Sequence, residues 1–482
     1  MIKYFNYIFL TAFILAVTGC IKDKYDPLQS HYPPEVDQII TTRCTQSGCH
    51  NEKSKDGAAG LDLSTWDKMF NGTSTGAAVV PYSSRFSPLL YFVNTDSTDG
   101  LVGTPTMPLN ATPLTTSQYH LLRNWIASGA PDNKGNIMFS DNPDRKKIYI
   151  SNQGCDNVAI FDVGRKVIMR YIDVGTIPGA SPPENPHSLK ITPDNKYMIA
   201  IFSGDNDGYM QVFDTQTDLL VKNIYMGLGG WNTFAISSDS RYAYAADYNN
   251  GILVFVDLVA GTTINTFNTN TRLHGVALNS TDDTLYVGQN SSSGLFKFPI
   301  NDISNFDNFD LNAVQPAPGN LQPHEILFSP DWSKYFITCE GQGANQVRVY
   351  NAYNDQLITV INSGIKPVEM SISEKWNLLF VTCMEDNYFP FTTGSVRVID
   401  LGTLTETNVI EVGWQPHGLV VDDEEDLVYV ANRNNAGPLP HHAAACDGQN
   451  GYLVAIDMKT MKLNSTIKAE LSVDPYAITI KK

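Results

Sequence analysis

The feature that most constrains this chain of 482 residues is a unit that recurs along its last two-thirds. Each unit reads apolar strand, Ser/Pro-Asp type turn, apolar strand, as in Leu189 to Ala200, Phe234 to Ala245, Val276 to Gly288, Ile326 to Cys339, Met370 to Cys383 and Leu419 to Asn432. A third strand follows and ends in or near an acid, as in Val212-Phe213-Asp214 and Val398-Ile399-Asp400, and a fourth strand completes the unit. One position anchors the count: His187, Asn232, His274, His324, Val368, His417 and Tyr476 enter successive first strands at spacings of 45, 42, 50, 44, 49 and 59 residues. Four-stranded repeats of this length cannot bury their faces alone and stack radially, which predicts a seven-bladed β-propeller over residues 146–482. The last anchor leads into a lone strand, Ala477 to Ile480, while Ile148 to Val174 offers three strands and no first one. The ring is therefore expected to close by lending blade one its innermost strand from the C-terminus, which removes both free edges.

Repeats such as Gln415-Pro416-His417-Gly418 with Val428-Tyr429-Val430-Ala431-Asn432 resemble the YVTN-type propellers. That resemblance implies a fold and leaves function open, because propellers serve as scaffolds, binders and enzymes. Strand order puts the anchor histidines on one face with Cys155, Cys339, Cys383 and the insertion Asn434 to Asn450, which carries His441, His442 and Cys446. Four histidines at one ring position, His187, His274, His324 and His417, could hold an additional metal such as copper, zinc or iron in the channel mouth. The plainer reading, favoured because Val368 and Tyr476 interrupt the ring, makes Pro-His-Gly a structural turn. Cys155 and Cys446 fall on neighbouring blades and could form a disulfide, whereas Cys339 and Cys383 occupy equivalent positions and read as buried free thiols.

Ahead of the repeats, Cys44-Thr45-Gln46-Ser47-Gly48-Cys49-His50 places two thiols directly before a histidine. Such thiols can add across the two vinyl groups of a haem while the imidazole takes the iron. A disulfide between the cysteines is an alternative; a zinc site lacks a second ligand pair. Val36, Ile39 and Ile40 give a helix leading into the loop, Met107-Pro108 lies in a Pro-rich loop, and Thr115 to Ser128 reads as a helix with Leu121, Leu122, Trp125 and Ile126 on one face, stopped by Gly129 and Pro131. The ordered set resembles class I cytochrome c domains, with four residues between the cysteines instead of the usual two. The resemblance covers residues 31–131 and implies a small all-α domain holding one covalent haem c through Cys44 and Cys49, with His50 as proximal and Met107 as distal iron ligand. His120 is a weaker candidate ligand, and His31 has no supporting context.

Residues 1–19 carry Lys3 and an apolar run from Tyr7 to Val17, too short for a comfortable membrane span. Val17-Thr18-Gly19-Cys20 resembles the lipobox of bacterial lipoproteins, which implies cleavage before Cys20, lipidation of its thiol, and anchorage to a membrane through a tether at 20–30. With no Asp after Cys20, the resemblance points to the outer membrane, facing the periplasm or the surface. A linker at 132–145 joins the two domains and could reach either propeller face.

A net charge of -17 excludes a nucleic-acid partner and suits a basic one. No Ser nucleophile elbow and no Gly-rich phosphate loop with lysine occurs. The expected function is electron transfer by a membrane-anchored c-type cytochrome that uses the propeller as docking or binding scaffold, with an unidentified redox partner protein. The alternative is a periplasmic oxidoreductase that uses a metal or substrate site on the propeller face and the haem as relay.

Overall fold

The computed structural model describes residues 30–204 and 208–482. The signal segment at 1–19, the lipidation candidate Cys20 and nearly all of the tether lie outside the described residues. Among the described residues twenty-eight strands, β1 to β28 in chain order, form seven four-stranded antiparallel sheets. The first sheet has the order β28-β1-β2-β3: the C-terminal strand β28 (Pro475–Lys481) pairs with β1 (Lys147–Asn152), the closure expected from the sequence. Inner and middle strands carry apolar residues on both faces because each blade is covered by two neighbours, and every residue of β1 is buried. Outer strands such as β11 (Thr262–Asn268) are largely exposed and Thr- and Asn-rich.

The recurring acids have a structural role. Asp214, Asp257 and Asp400 end third strands and accept backbone N–H groups of the turn that follows, from Thr217, Ala260 and Thr403 at 2.8, 2.8 and 2.7 Å. Those bonds favour the carboxylate and hold all three below the usual acid range.

Every innermost strand has one extra residue at its anchor position, where the register against the second strand slips. These are β4 (Pro186–Ile191), β8 (Trp231–Ile236), β12 (Leu273–Leu278), β16 (Pro323–Phe328), β20 (Ile365–Ser373), β24 (Pro416–Asp422) and β28. A bulge bends the strand and re-aims its side chains. Gly275, in the bulge of β12, has φ +71°, and a Cβ there would sit 2.7 Å from the His324 carbonyl oxygen. Glycine thus lets the next inner strand close up.

Among the described residues the N-terminal region has four short α-helices, α1 (Pro34–Arg43), α2 (Trp66–Met69), α3 (Pro88–Val93) and α4 (Thr116–Ala127), joined by long loops. Thr115 and Gln118 form a reciprocal capping box at the start of α4. Tyr119, Leu122, Trp125 and Ile126 form the buried face of α4, whereas Leu121, expected there, is only half-buried. No helix among the described residues is long and apolar enough to cross a membrane.

The small domain does not swing on a free tether, as the linker's reach allows. Phe70 and Phe139 share one continuous core with Val167 and Met169 of blade one. Phe86 stacks on Tyr171 at 4.3 Å, Arg165 pairs with Asp67 at 2.7 Å, and the Glu470 N–H of blade seven donates to the Thr75 carbonyl. The domain is therefore seated on the outer strands of blades one and seven. Cys155 and Cys446 form a disulfide across the same seam, with Cα atoms 5.5 Å apart. Arg85 reaches from the small domain to the Ala445 carbonyl beside it.

Candidate functional site

Helix α1 delivers the cysteine loop. Its last hydrogen bond runs from the Cys44 N–H to the Ile40 carbonyl, and the chain then folds back so that the His50 N–H donates to the Cys44 carbonyl at 3.0 Å. Asn51 laces the four intervening residues, its amide donating to the carbonyls of Thr45 and Gln46. Gly48, at φ +82°, makes the turn. Cys44 and Cys49 are half-buried free thiols, not a disulfide. The His50 Nδ1 is buried without a hydrogen-bond partner among the described residues, and burial lowers the ring's pKa. Burial pushes the Cys44 thiol up to about 12 despite neighbouring Arg43.

Cys44, Met107 and Leu121 lie half-buried against the same domain core. The Met107 loop is tied to α3 by a 2.7 Å bond from the Met107 N–H to the Phe92 carbonyl. Two uncombined thiols, an imidazole with an orphaned buried nitrogen and a thioether on one small domain fit a c-type haem. His120 is already engaged by Asp99, 2.9 Å away, which removes it as a competitor. The blade-seven insertion comes close to the Met107 loop: Phe92 meets His441 and His442 at 6.0 and 5.7 Å between ring centres. An open cleft of about 320 Å³ lies there, lined by Phe92, Thr104 and His441 among others.

At the mouth of the propeller channel the four anchor histidines do converge. Ring centres of His187 and His274 are 5.8 Å apart, His274 stacks on His324 at 4.0 Å, and His324 meets His417 at 5.4 Å. Tyr476 fills the ring, stacked on His417 at 3.6 Å and touching His187 at 4.3 Å. The four are not equivalent. His187 and His274 engage the carbonyls of Asn232 and His324 through Nδ1, the structural use expected of a turn habit. Burial, with the neighbouring imidazoles, drives His187 and His417 far below their ordinary pKa and His274 down to about 4.

His324 behaves oppositely. Burial alone would depress it, but Glu340, 3.1 Å from Nδ1, and Glu369, 3.7 Å from Nε2, hold it up at about 10. Glu340 is in turn pulled down to about 2 by His324 and held by the Asn290 amide at 2.9 Å. Neither glutamate was a sequence candidate. Glu369 follows Val368, the residue that seemed to break the ring, and Glu340 follows Cys339. The signal available was an acid beside an anchor in the bulge. Cys339 and Cys383 are buried free thiols, pushed up by burial to about 12 and about 11.

Comparison with known proteins bears on the N-terminal region. The Planctomycete cytochrome C family matches residues 47–102, a span that includes Cys49 and His50 and stops short of Cys44 and Met107. The N-terminal region therefore carries a cytochrome c domain, which implies covalent haem c, and a seven-bladed propeller follows it. Antigen Lp49 of Leptospira interrogans is 28% identical over 132 residues, 25% of this chain and 26% of its own length. The chain thus spans about a quarter of that curated relative. A solved chain of Kuenenia stuttgartiensis Hydrazine Synthase superposes with a TM-score of 0.47 at 13% identity, over 59% of this chain and 81% of that one.

Proposed function

We propose that this protein is a lipid-anchored c-type cytochrome that transfers electrons at a bacterial membrane, with the propeller as its docking scaffold. The observation that carries this reading is the Cys44–Cys49–His50 loop, two free thiols and a half-buried imidazole with an orphaned nitrogen on a domain that matches a cytochrome family. Cys44 and Cys49 would hold the haem by thioethers, and His50 and Met107 would supply the iron's two axial ligands. When bound, haem c supplies a one-electron couple, and a methionine ligand raises its potential. Residues Gln46 to Gly48 are exposed, and among the described residues the hydrogen bonds of residues 43–58 stay within the small domain, so this edge is open to a partner. The acidic chain would steer a basic partner to it. The lipid on Cys20 would place the protein on the outer membrane, facing the periplasm or the surface.

A pyridine-haemochrome spectrum with an intact mass, on protein matured in a host that attaches c-type haem, tests the central claim. One covalent haem per chain is expected, lost in the Cys44→Ala, Cys49→Ala double variant. Absence of covalent haem from the parent would overturn the claim. Fractionation tests the anchor: Cys20→Ser should move the protein from membranes to the soluble fraction.

A further inference from the structure

We propose that His324, His417 and Glu369 form a binding site for one divalent transition-metal ion at the mouth of the propeller channel. One ligand atom from each lies within 4.8 Å of the others. His324 and His417 are almost wholly buried, at 4% and 1% exposure. The His324 Nε2 and the His417 Nδ1 are both buried without a hydrogen-bond partner among the described residues. Two orphaned imidazole nitrogens in one place are costly unless something binds them. His324 Nε2 and Glu369 Oε1 stand 3.7 Å apart, beyond a hydrogen bond. Ligands held about 2 Å from a tetrahedral ion are separated by about 3.4 Å, so this spacing suits a shared metal.

The surroundings are those of a metal centre. Glu340 engages the His324 Nδ1 from behind, and Asn290 holds Glu340. A carboxylate on the far nitrogen fixes ring orientation and makes the ligating nitrogen more basic. Backbone at the two bulges is pinned as well. The Thr338 hydroxyl donates to the Val368 carbonyl at 2.7 Å, and the Thr382 hydroxyl donates to the His417 carbonyl at 2.6 Å. Two imidazoles and one carboxylate are a donor set for zinc or another first-row ion, and three protein ligands leave a position open toward the channel. Glu369, the least buried of the three, would face that opening. His187 and His274, whose Nδ1 atoms already meet carbonyls, lie outside the ligand set.

The test uses the full, haem-loaded chain, stripped with a chelator, equilibrated with Zn²⁺ and passed through gel filtration. Elemental analysis then reads iron for the haem and zinc for this site, so the two readings succeed or fail separately. One zinc per chain is expected, falling below a tenth in Glu369→Gln and in His417→Gln and unchanged in His187→Gln. Glu340→Gln should weaken zinc affinity by roughly 10–100-fold. If the parent retains no zinc, a proton on His324 fills the role and the proposal fails. It fails equally if both ligand variants bind as the parent does, which would move the ion to another place such as His441 and His442. Should a variant misfold, X-ray absorption at the zinc edge of the parent decides: scattering without imidazole overturns the assignment.

Discussion

Replacing both Cys155 and Cys446 with Ala probes how the ring and the small domain are held together. The bridge joins residues 291 positions apart, near the start and end of the propeller. In the folded protein those ends are already held by β28 pairing with β1, so losing the bond changes the native state little. The unfolded chain changes far more, because it regains the freedom of a loop that size. The loop-entropy relation for 291 residues gives about 5–6 kcal/mol at 25 °C, and measured losses for native disulfides run about 2–5 kcal/mol. A loss of about 3–5 kcal/mol is therefore expected, read by guanidinium titration followed by far-UV circular dichroism and tryptophan fluorescence. Coincident curves from the two probes license a two-state treatment. The denaturant slope should also rise, since the freed unfolded chain exposes more surface. The parent in strong reductant should match the double variant. A loss below about 1 kcal/mol with an unchanged slope would refute the entropic reasoning and leave ring closure to the strands alone.

Three further perturbations test other parts of the argument. Lys147 and Asp218, both buried and 2.9 Å apart, join blades one and two; Asp218→Asn should cost about 3–5 kcal/mol by stranding the lysine, and a denaturation midpoint equal to the parent's would show the pair to be dispensable. Gly275→Ala should cost about 1–3 kcal/mol in the same assay, whereas Gly57→Ala, with nothing within 4 Å of the new methyl, should be nearly neutral; equal effects would deny the close approach at the bulge. Buried Asp37 on α1 is raised by burial to about 6. Its folded value lies above its unfolded one, so its contribution to stability is full below about pH 4 and lost as pH rises through 6. Asp37→Asn should flatten that fall in thermal melts taken between pH 4 and 7, and parallel falls in parent and variant would assign the dependence to another group.

The fold could be read from the sequence because its physics is periodic. Four strands per unit, an acid closing each third strand and a recurring anchor are local patterns, and the lone C-terminal strand left a single way to complete blade one. The seat of the small domain was not readable. Phe70, Phe86, Phe139 and Tyr171 make that seam, and in a single sequence an interface aromatic looks the same as a core one. A linker's length sets its reach and says nothing of where apolar surfaces will meet.

The channel mouth shows the same limit at the scale of one side chain. Counting anchors put four histidines on a ring and took Val368 as an interruption, which argued for turns over ligands. A regular strand alternates, and on that assumption only one of two successive residues faces the axis. The extra residue in each inner strand breaks that assumption at the anchor itself, so Glu369, the neighbour of Val368, lies beside His324 and His417. Half the ring then follows the structural reading, with His187 and His274 turned onto carbonyls. The other half gains a carboxylate that no alternating pattern would assign to it. A bulge shifts the register by one residue and the shift persists to the end of each inner strand, but strands this short leave too few residues beyond it for the change of phase to show in hydrophobic periodicity. An acid directly after an inward-facing anchor, as at Glu369, is the sequence sign to look for in repeats of this kind.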